Sequence, residues 1–261
     1  MHEQAKTLLI LKVSRDVHLY ETSLIEAEAR QYGYDVVVHD VQHEDQLWAT
    51  PEGPWSIVYV CGHGHREGVG QADGSMLLAW DDVASALCDH LGPEAWLFLA
   101  CCRGGLREVV HTMLCACWSL EYVFGAPWKA TPSELACAFH VLLHQFTHRQ
   151  LEPARAADRA GEAIDRTIKS FDANEVRDSD RFLDWCEARG VDPMAGAAGE
   201  SVDEPAGSLP QAATGAKLVP ISSKRLWTTV DVGDHSDSVL PDQRPFPLTP
   251  AVNGGRAPRH S

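Results

Sequence analysis

Short apolar runs alternate with segments of helical spacing over the first part of the chain, up to about residue 150. The apolar runs are TLLILKV, DVVVHDV, WSIVYVCG, AWLFLACC and LEYVFGAP, and their composition predicts short strands, several of them buried on both faces. Between them, ETSLIEAEARQYGY, AWDDVASALCDHLG and LREVVHTMLCACWS have helical spacing. We expect Asp81 or Asp82 near the start of the second of these helices and Gly92 at its end. The alternation predicts an α/β fold with a mostly parallel sheet and helices on both faces.

Helical signals continue beyond the fifth apolar run. TPSELACAFHVLLHQFTHR begins with Thr131 as the expected N-cap, Pro132 at the first helical position and Glu134 three residues after the cap. PARAADRAGEAIDRTIKSF and SDRFLDWCEARG are predicted to be two more helices. From about residue 194 the composition becomes small, polar and rich in Pro and Gly. We therefore predict one domain over 1–190, and a linker and tail over 191–261 with a short β segment near 216–232.

Composition and charge narrow the class of protein. The 261 residues are enough for one sizeable core, and the formal net charge of −15 disfavours nucleic acid and anionic membranes as direct partners. No apolar run reaches the roughly 18 residues that a membrane span needs, and TLLILKV is too short for a signal-peptide core. These features predict a cytoplasmic protein, in which the eight cysteines are expected to be thiols.

Two motifs follow apolar runs that are neighbours in sequence. His63 lies between Gly62 and Gly64 after the third run, and Cys102 follows the fourth run just before two glycines. A right-handed crossover can bring the carboxyl ends of two such strands side by side, at the edge of the sheet where ligands bind. A cysteine thiolate is a nucleophile, and an imidazole can take its proton, so the pair suits acyl transfer. The amides of Gly64 and Cys102 are candidate donors to the oxyanion, and Gly104 and Gly105 are expected to leave room for the substrate backbone.

A metal site is the chemical alternative. Cys61, His63 and His65 alternate along the chain, and with Cys101 or Cys102 they could form a tetrahedral zinc site. The usual pair of cysteines separated by two to four residues is missing, and Cys115 and Cys117 are too close together to replace it. The catalytic interpretation is therefore favoured, and no metal is predicted.

The two motifs together resemble those of the caspase-like cysteine proteases, which include caspases, metacaspases and bacterial CHAT proteases. Gly62-His63-Gly64 is similar to their histidine motif, and Ala100-Cys101-Cys102-Arg103-Gly104 to their cysteine motif. The resemblance covers about residues 5 to 170, including DGSMLLAWDDVASAL, EYVFGAPWKATPSELACAFHVLLHQF and EPARAADRAGEA, and is greatest to the CHAT subgroup. It implies a caspase-like three-layer sandwich and a cysteine endopeptidase with a Cys102–His63 dyad, no evident third catalytic group and no cofactor.

The resemblance also carries expectations about substrate and partners. It implies that Ala100, Arg103, Pro127 and Trp128 contact a protein or peptide substrate. Caspases have Gln and metacaspases Asp at the position of Ala100, so the departure here predicts either a smaller or apolar pocket or recognition of the substrate through an exosite. By analogy with CHAT proteases, the resemblance further implies control by an activating protein partner in a bacterial regulatory or defence system. Two alternatives stay open: a catalytically silent binding or scaffold module of the same fold, and a zinc-stabilised domain.

Because neighbouring side chains on a strand point to opposite faces, one of Cys101 and Cys102 should face the core and the other the site. The register of the caspase-like motif assigns the nucleophile to Cys102.

Asp82 is expected to cap its helix.

Overall fold

A computed structural model describes residues 6–17 and 19–193 of the chain. The strands are β1 (Thr7–Lys12), β2 (Asp35–Asp40), β3 (Trp55–Cys61), β4 (His63–Gly64), β5 (Gly68–Gly70), β6 (Leu77–Ala79), β7 (Leu91–Ala100), β8 (Leu120–Gly125) and β9 (Lys169–Asp172). The helices are α1 (Leu19–Gln31), α2 (Glu44–Leu47), α3 (Trp80–Cys88), α4 (Arg107–Ala116), α5 (Pro132–His144), α6 (Pro153–Ala163), α7 (Ala173–Arg177) and α8 (Asp180–Arg189), and a π-helical turn, Gln145–Arg149, follows α5.

The central sheet has the strand order β2-β1-β3-β7-β8-β9. Its strands are parallel except for β9, which pairs antiparallel with β8. The five apolar runs thus form the parallel strands. The central strands β1, β3 and β7 are buried on both faces, whereas the edge strand β2 is partly exposed. The predicted mostly parallel sheet is confirmed.

Two apolar clusters lie on opposite faces of this sheet. On one face, alternate residues of the strands, such as Leu9 and Val58, pack with α3, α4 and α8. On the other face, their neighbours Leu8 and Ile57 pack with α1, α5 and α6. Alternation along each strand therefore supplies both layers of the core. The three-layer α/β sandwich expected from the sequence is confirmed.

The segment after α6 differs from the prediction of one long helix. The helix ends at Ala163, and Asp165 takes a left-handed conformation with φ of 53°. The amide of Arg166 donates to the carbonyl of Gly161 at 3.0 Å, which closes the end of the helix. Lys169–Asp172 then forms β9 along the edge of β8. The helical prediction was wrong here because pairing with a distant strand outweighs the local helical spacing.

The boundaries of α3 also differ from the prediction. The helix begins at Trp80, whose side chain is buried in the core, so its N-cap is Ala79 and not an aspartate. Asp82 therefore lies in the first turn, where its charge favours the positive end of the helix dipole, instead of capping the helix. The helix ends at Cys88, and Gly92 belongs to β7.

Two local features position the candidate site. A three-stranded antiparallel sheet, β4-β5-β6, follows β3 directly and was not predicted. At the start of α5, Thr131 and Glu134 form the predicted capping box: Thr131 Oγ1 accepts from the Glu134 amide at 3.3 Å, and Glu134 Oε2 accepts from the Thr131 amide at 2.8 Å. This cap fixes the first turn of α5 near the carboxyl edge of the sheet.

The expectations for the tail fall on 194–261, including the β segment near 216–232, and so lie outside the described residues. Within the described ranges, none of the helices combines the length and apolarity that crossing a membrane would require.

Candidate active site

The register between β3 and β7 brings the two sequence motifs together. Cys61, the last residue of β3, pairs with Ala100, the last residue of β7. His63 and Cys102 each follow two residues later. Adjacent strands in a sheet lie about 4.8 Å apart, so both residues leave the sheet at the same place.

One cavity is lined by both residues. Its wall also includes apolar side chains from the loop after β1, from β3 and β7, and from α5, namely Val17, Tyr59, Ala100, Pro132 and Leu135. The cavity lies outside the carboxyl ends of β1, β3 and β7, which is where open parallel sheets bind ligands.

The two consecutive cysteines have different surroundings. Cys101 is buried in the core cluster under α3 and α4, and burial raises the pKa of its thiol. Cys102 is only partly buried, and its Sγ lies 3.4 Å from the carbonyl oxygen of Ala130, as a thiol donating to that oxygen would. Of the two thiols, Cys102 is therefore the one that solvent and substrate can reach.

His63 has a carboxylate partner. Its Nε2 lies 2.8 Å from Oδ2 of Asp16, in the loop that follows β1. The side chain of His63 is 39% exposed and that of Asp16 is 52% exposed, so the pair lies at the mouth of the cavity. With Nε2 occupied in this way, Nδ1 is the ring nitrogen left for another group.

Asp16 is a site residue that the sequence interpretation missed, since no third group beside Cys102 and His63 was recognised. A signal was present, because Ser14-Arg15-Asp16 directly follows the buried strand β1. Polar residues at the carboxyl end of a parallel strand are candidates for the site on that edge of the sheet.

Gly64 packs directly against the cysteine loop. A Cβ built at this position would lie 2.0 Å from the carbonyl oxygen of Cys102 and 2.9 Å from Sγ of Cys101. Only glycine allows this approach of β4 to the loop. The amides of Gly64 and Cys102, predicted as oxyanion donors, therefore lie in backbone segments that touch each other.

Gly104 and Gly105 serve packing instead of leaving room for substrate. A Cβ on Gly104 would lie 2.7 Å from Cβ of Leu99, and one on Gly105 would lie 2.4 Å from the carbonyl oxygen of Gly125. The Gly105 amide donates to the carbonyl of Ala126 at 3.0 Å. These glycines dock the cysteine loop on the end of β8.

The predicted substrate-binding residues fall into two groups. Ala100 lines the cavity, whereas Arg103, Pro127 and Trp128 are not among its lining residues. Arg103 has a left-handed backbone (φ 62°), and its amide donates to the carbonyl of Trp128 at 2.9 Å. The indole Nε1 of Trp128 donates to the carbonyl of Thr167 at 2.8 Å, and the Arg166 guanidinium lies 4.8 Å from the indole ring centre. Trp128 thus links the cysteine loop to the segment before β9.

Among the described residues, no group of three or more His, Cys, Asp or Glu side chains is arranged to hold a metal ion. Cys61, one of the residues considered for zinc, is buried, and its Sγ lies 3.7 Å from the carbonyl oxygen of Leu11. Burial raises its pKa to about 12, which opposes the thiolate form that a metal requires.

Comparisons with known proteins test the fold. No family model matches the chain, and no curated protein matches it in sequence. Among solved structures, the chain is similar to iotapain, a secreted C11 cysteine protease from Bacteroides thetaiotaomicron, with a TM-score of 0.51 and 8% identity over 71% of each chain. A structure of a secreted C11 cysteine protease from the same organism with an irreversible peptide inhibitor matches with a TM-score of 0.44 and 11% identity, over 66% of this chain and 68% of that one. The chain has the caspase-like α/β fold of a C11 cysteine protease.

Proposed function

We propose that the chain is a cysteine endopeptidase in which Cys102 is the nucleophile and His63 the general acid–base. The observation that carries this proposal is the shared cavity: His63 and Cys102 leave adjacent parallel strands and line the same opening at the carboxyl edge of the sheet. The similarity of its fold to that of a cysteine protease supports the proposal.

The proposed reaction has two halves. The Cys102 thiolate attacks the carbonyl carbon of the scissile bond, and the resulting oxyanion accepts hydrogen bonds from the amides of Gly64 and Cys102. The C–N bond then breaks, the leaving amine takes a proton from the His63 imidazolium, and a thioester remains on Cys102. Water attacks the thioester while His63 removes its proton, the C–S bond breaks, and the carboxylic acid leaves the Cys102 thiolate beside the His63 imidazolium.

The cavity wall indicates what kind of side chain would fit. Ala100 is 5% exposed and offers neither the amide nor the carboxylate that charge-selective relatives have at this position. Tyr59, Val17 and Leu135 supply apolar wall, whereas Glu21 and Asp16 add carboxylates. We infer a small or apolar side chain before the scissile bond, with Arg103, Pro127 and Trp128 contacting substrate farther from the bond.

The finer features of the proposal come from the resemblance to CHAT proteases. They are membership of that subgroup and activation by a protein partner in a bacterial regulatory or defence system. A cytoplasmic location is proposed from the short apolar runs of the sequence. Neither a cofactor nor a metal takes part in the proposed reaction.

The test combines thiol reactivity with peptide cleavage. The rate of iodoacetamide labelling of each cysteine is measured between about pH 5 and pH 9 by peptide mass spectrometry, for wild type, His63→Ala and Cys102→Ala. Cleavage is measured on a peptide panel that varies the residue before the scissile bond among Ala, Leu, Asp, Lys and Arg. The matched control is Cys137→Ala, which removes an exposed thiol on α5 that does not line the cavity.

We expect Cys102 to label faster than Cys137 near neutral pH, and His63→Ala to remove that advantage. Cleavage should fall by roughly 10³-fold or more in Cys102→Ala and stay unchanged in Cys137→Ala. If Cys102 labels no faster than Cys137, and the panel is not cleaved, the proposal fails and the silent binding module becomes the better interpretation.

A further inference from the structure

The loop after β1 carries a carboxylate to the candidate histidine. Val13 continues from β1 with its amide donating to the carbonyl of Cys61 at 2.8 Å, so the chain still follows β3 at this point. Three residues later, Oδ2 of Asp16 lies 2.8 Å from Nε2 of His63. Asp16 therefore approaches the imidazole on the nitrogen opposite to the one left for Cys102.

We propose that Asp16 is a positioning residue for the reaction, which holds the ring of His63 through Nε2, keeps Nδ1 available for Cys102 and balances the charge of the imidazolium. This inference rests on the proposed function, because it assigns a role to Asp16 through His63. In serine proteases a carboxylate on the far nitrogen of the catalytic histidine fixes its tautomer in the same way.

The carboxylate is itself held by a second layer of polar contacts. Ser14 Oγ donates to Oδ1 of Asp16, on the oxygen that does not face His63. Ser14 is 0% exposed, so this contact is shielded from water. The Asp16 side chain is thereby fixed at both oxygens, although more than half of its surface is open to solvent.

Gln71 links this loop to the hairpin that carries the histidine. Gln71 directly follows β5 and is 6% exposed. Its Oε1 accepts from the Arg15 amide at 3.0 Å and lies 3.3 Å from Ser14 Oγ, and its Nε2 donates to the carbonyl of Val13 at 3.3 Å. Since His63 on β4 pairs with Gly70, the residue before Gln71, the same hairpin holds both partners of the His63–Asp16 contact.

The charges around His63 agree with this role. The hydrogen bond from Ser14, followed by the contact with His63, lowers the pKa of Asp16, so the carboxylate is ionised at neutral pH. The other titratable groups lining the cavity are Glu21, Tyr59, Cys61, Cys101 and Cys102. Nε of Arg15, the adjacent basic residue, donates to Gln42 at 2.8 Å. Among these groups, Asp16 is the charged side chain that directly contacts His63.

The solvent exposure of Asp16 sets how much its replacement should slow the reaction of Cys102. In a buried serine-protease triad, replacing the carboxylate with an amide lowers kcat by about 10⁴-fold. Asp16 is half exposed, so water and salt screen its charge and can partly replace its hydrogen bond. We expect Asp16→Asn to slow alkylation of Cys102 near neutral pH, and any cleavage, by roughly 10- to 100-fold.

The experiment compares Asp16→Asn, Asp16→Ala and Asp16→Glu in the full chain. Asp158→Asn is the matched control, because it makes the same change at an exposed carboxylate on α6, away from the cavity. The pH profile of Cys102 alkylation is recorded for each variant, together with peptide cleavage and thermal unfolding. Because the imidazolium loses its counter-charge, the part of the alkylation rate near neutral pH that depends on the thiolate–imidazolium pair should fall in Asp16→Asn and Asp16→Ala, and the profile should approach that of an unpaired thiol. Asp16→Glu should restore part of the wild-type profile, and Asp158→Asn all of it.

The outcomes separate this inference from the proposed function. If wild-type Cys102 labels no faster than Cys137 and the peptide panel is not cleaved, the activated thiol is missing and both proposals fail. If labelling is fast in wild type and slow in His63→Ala, but Asp16→Asn keeps the wild-type profile, the proposed function stands and the role of Asp16 is refuted. The same conclusion follows if Asp16→Asn changes cleavage of Lys or Arg peptides alone, since Asp16 would then recognise substrate charge.

Discussion

Replacing Gly64 with alanine tests the contact between β4 and the cysteine loop. The added Cβ would lie 2.0 Å from the carbonyl oxygen of Cys102, whereas ordinary contacts of a Cβ begin near 3.4 Å. The backbone segments must therefore separate by about 1 Å or more, since neither atom belongs to a flexible side chain. Overpacking of this kind costs about 1–3 kcal/mol of unfolding free energy, and we expect the upper end of that range here.

The same displacement should reduce the reactivity of Cys102 more strongly than it reduces the stability of the fold. A misplacement of about 1 Å at a reacting group can cost about 10²-fold in rate. We therefore expect Gly64→Ala to remain folded but to lose roughly 10²-fold in the His63-dependent alkylation of Cys102. Unfolding free energy comes from urea titration followed by tryptophan fluorescence, and the alkylation rate from peptide mass spectrometry.

Gly92→Ala is the control for this prediction. A Cβ on Gly92 would meet Cβ of Pro54 and the carbonyl oxygen of Trp55 at 3.4 Å, which is ordinary contact, at the far end of β7. It should leave the alkylation rate unchanged. If Gly64→Ala matched wild type in both stability and alkylation, the inferred close contact between β4 and the cysteine loop would be refuted.

Two further predictions concern stability and pH. Arg177 donates to the carbonyls of Leu114, Leu120 and, at 2.8 Å, Cys117. Arg177→Met should therefore lower the unfolding free energy by about 2 kcal/mol in urea titration, because the carbonyls lose a charged donor; a loss below about 0.5 kcal/mol would contradict this role. Burial raises the pKa of Cys61 from 9.0 to about 12, so the folded state keeps its proton where the unfolded state loses it. The contribution of this thiol to the unfolding free energy is complete below pH 9 and is lost as pH rises toward 12. Cys61→Ala should therefore flatten the decline of the unfolding free energy over that range, and an unchanged slope would count against the raised pKa of Cys61.

The sequence by itself determined the central sheet and its helical layers. Five apolar runs gave the parallel strands, because strands covered on both faces must be apolar throughout. Thr131 and Glu134 marked the start of α5, because a capping box is a local interaction that needs no tertiary partner. His63 and Cys102 were recognised because each follows an apolar run, and the fold puts the ends of those two strands side by side.

Tertiary structure decided the rest. The strand β9 forms because the edge of β8 offers backbone partners, and local spacing cannot encode that pairing. The sequence predicted that one of Cys101 and Cys102 would face the core, and packing under α3 and α4 buries Cys101 and leaves Cys102 at the cavity. The contact of Asp16 with His63 joins residues 47 positions apart. It depends on the order of β1 beside β3 and on Gln71 holding the loop, and both are properties of the assembled sheet.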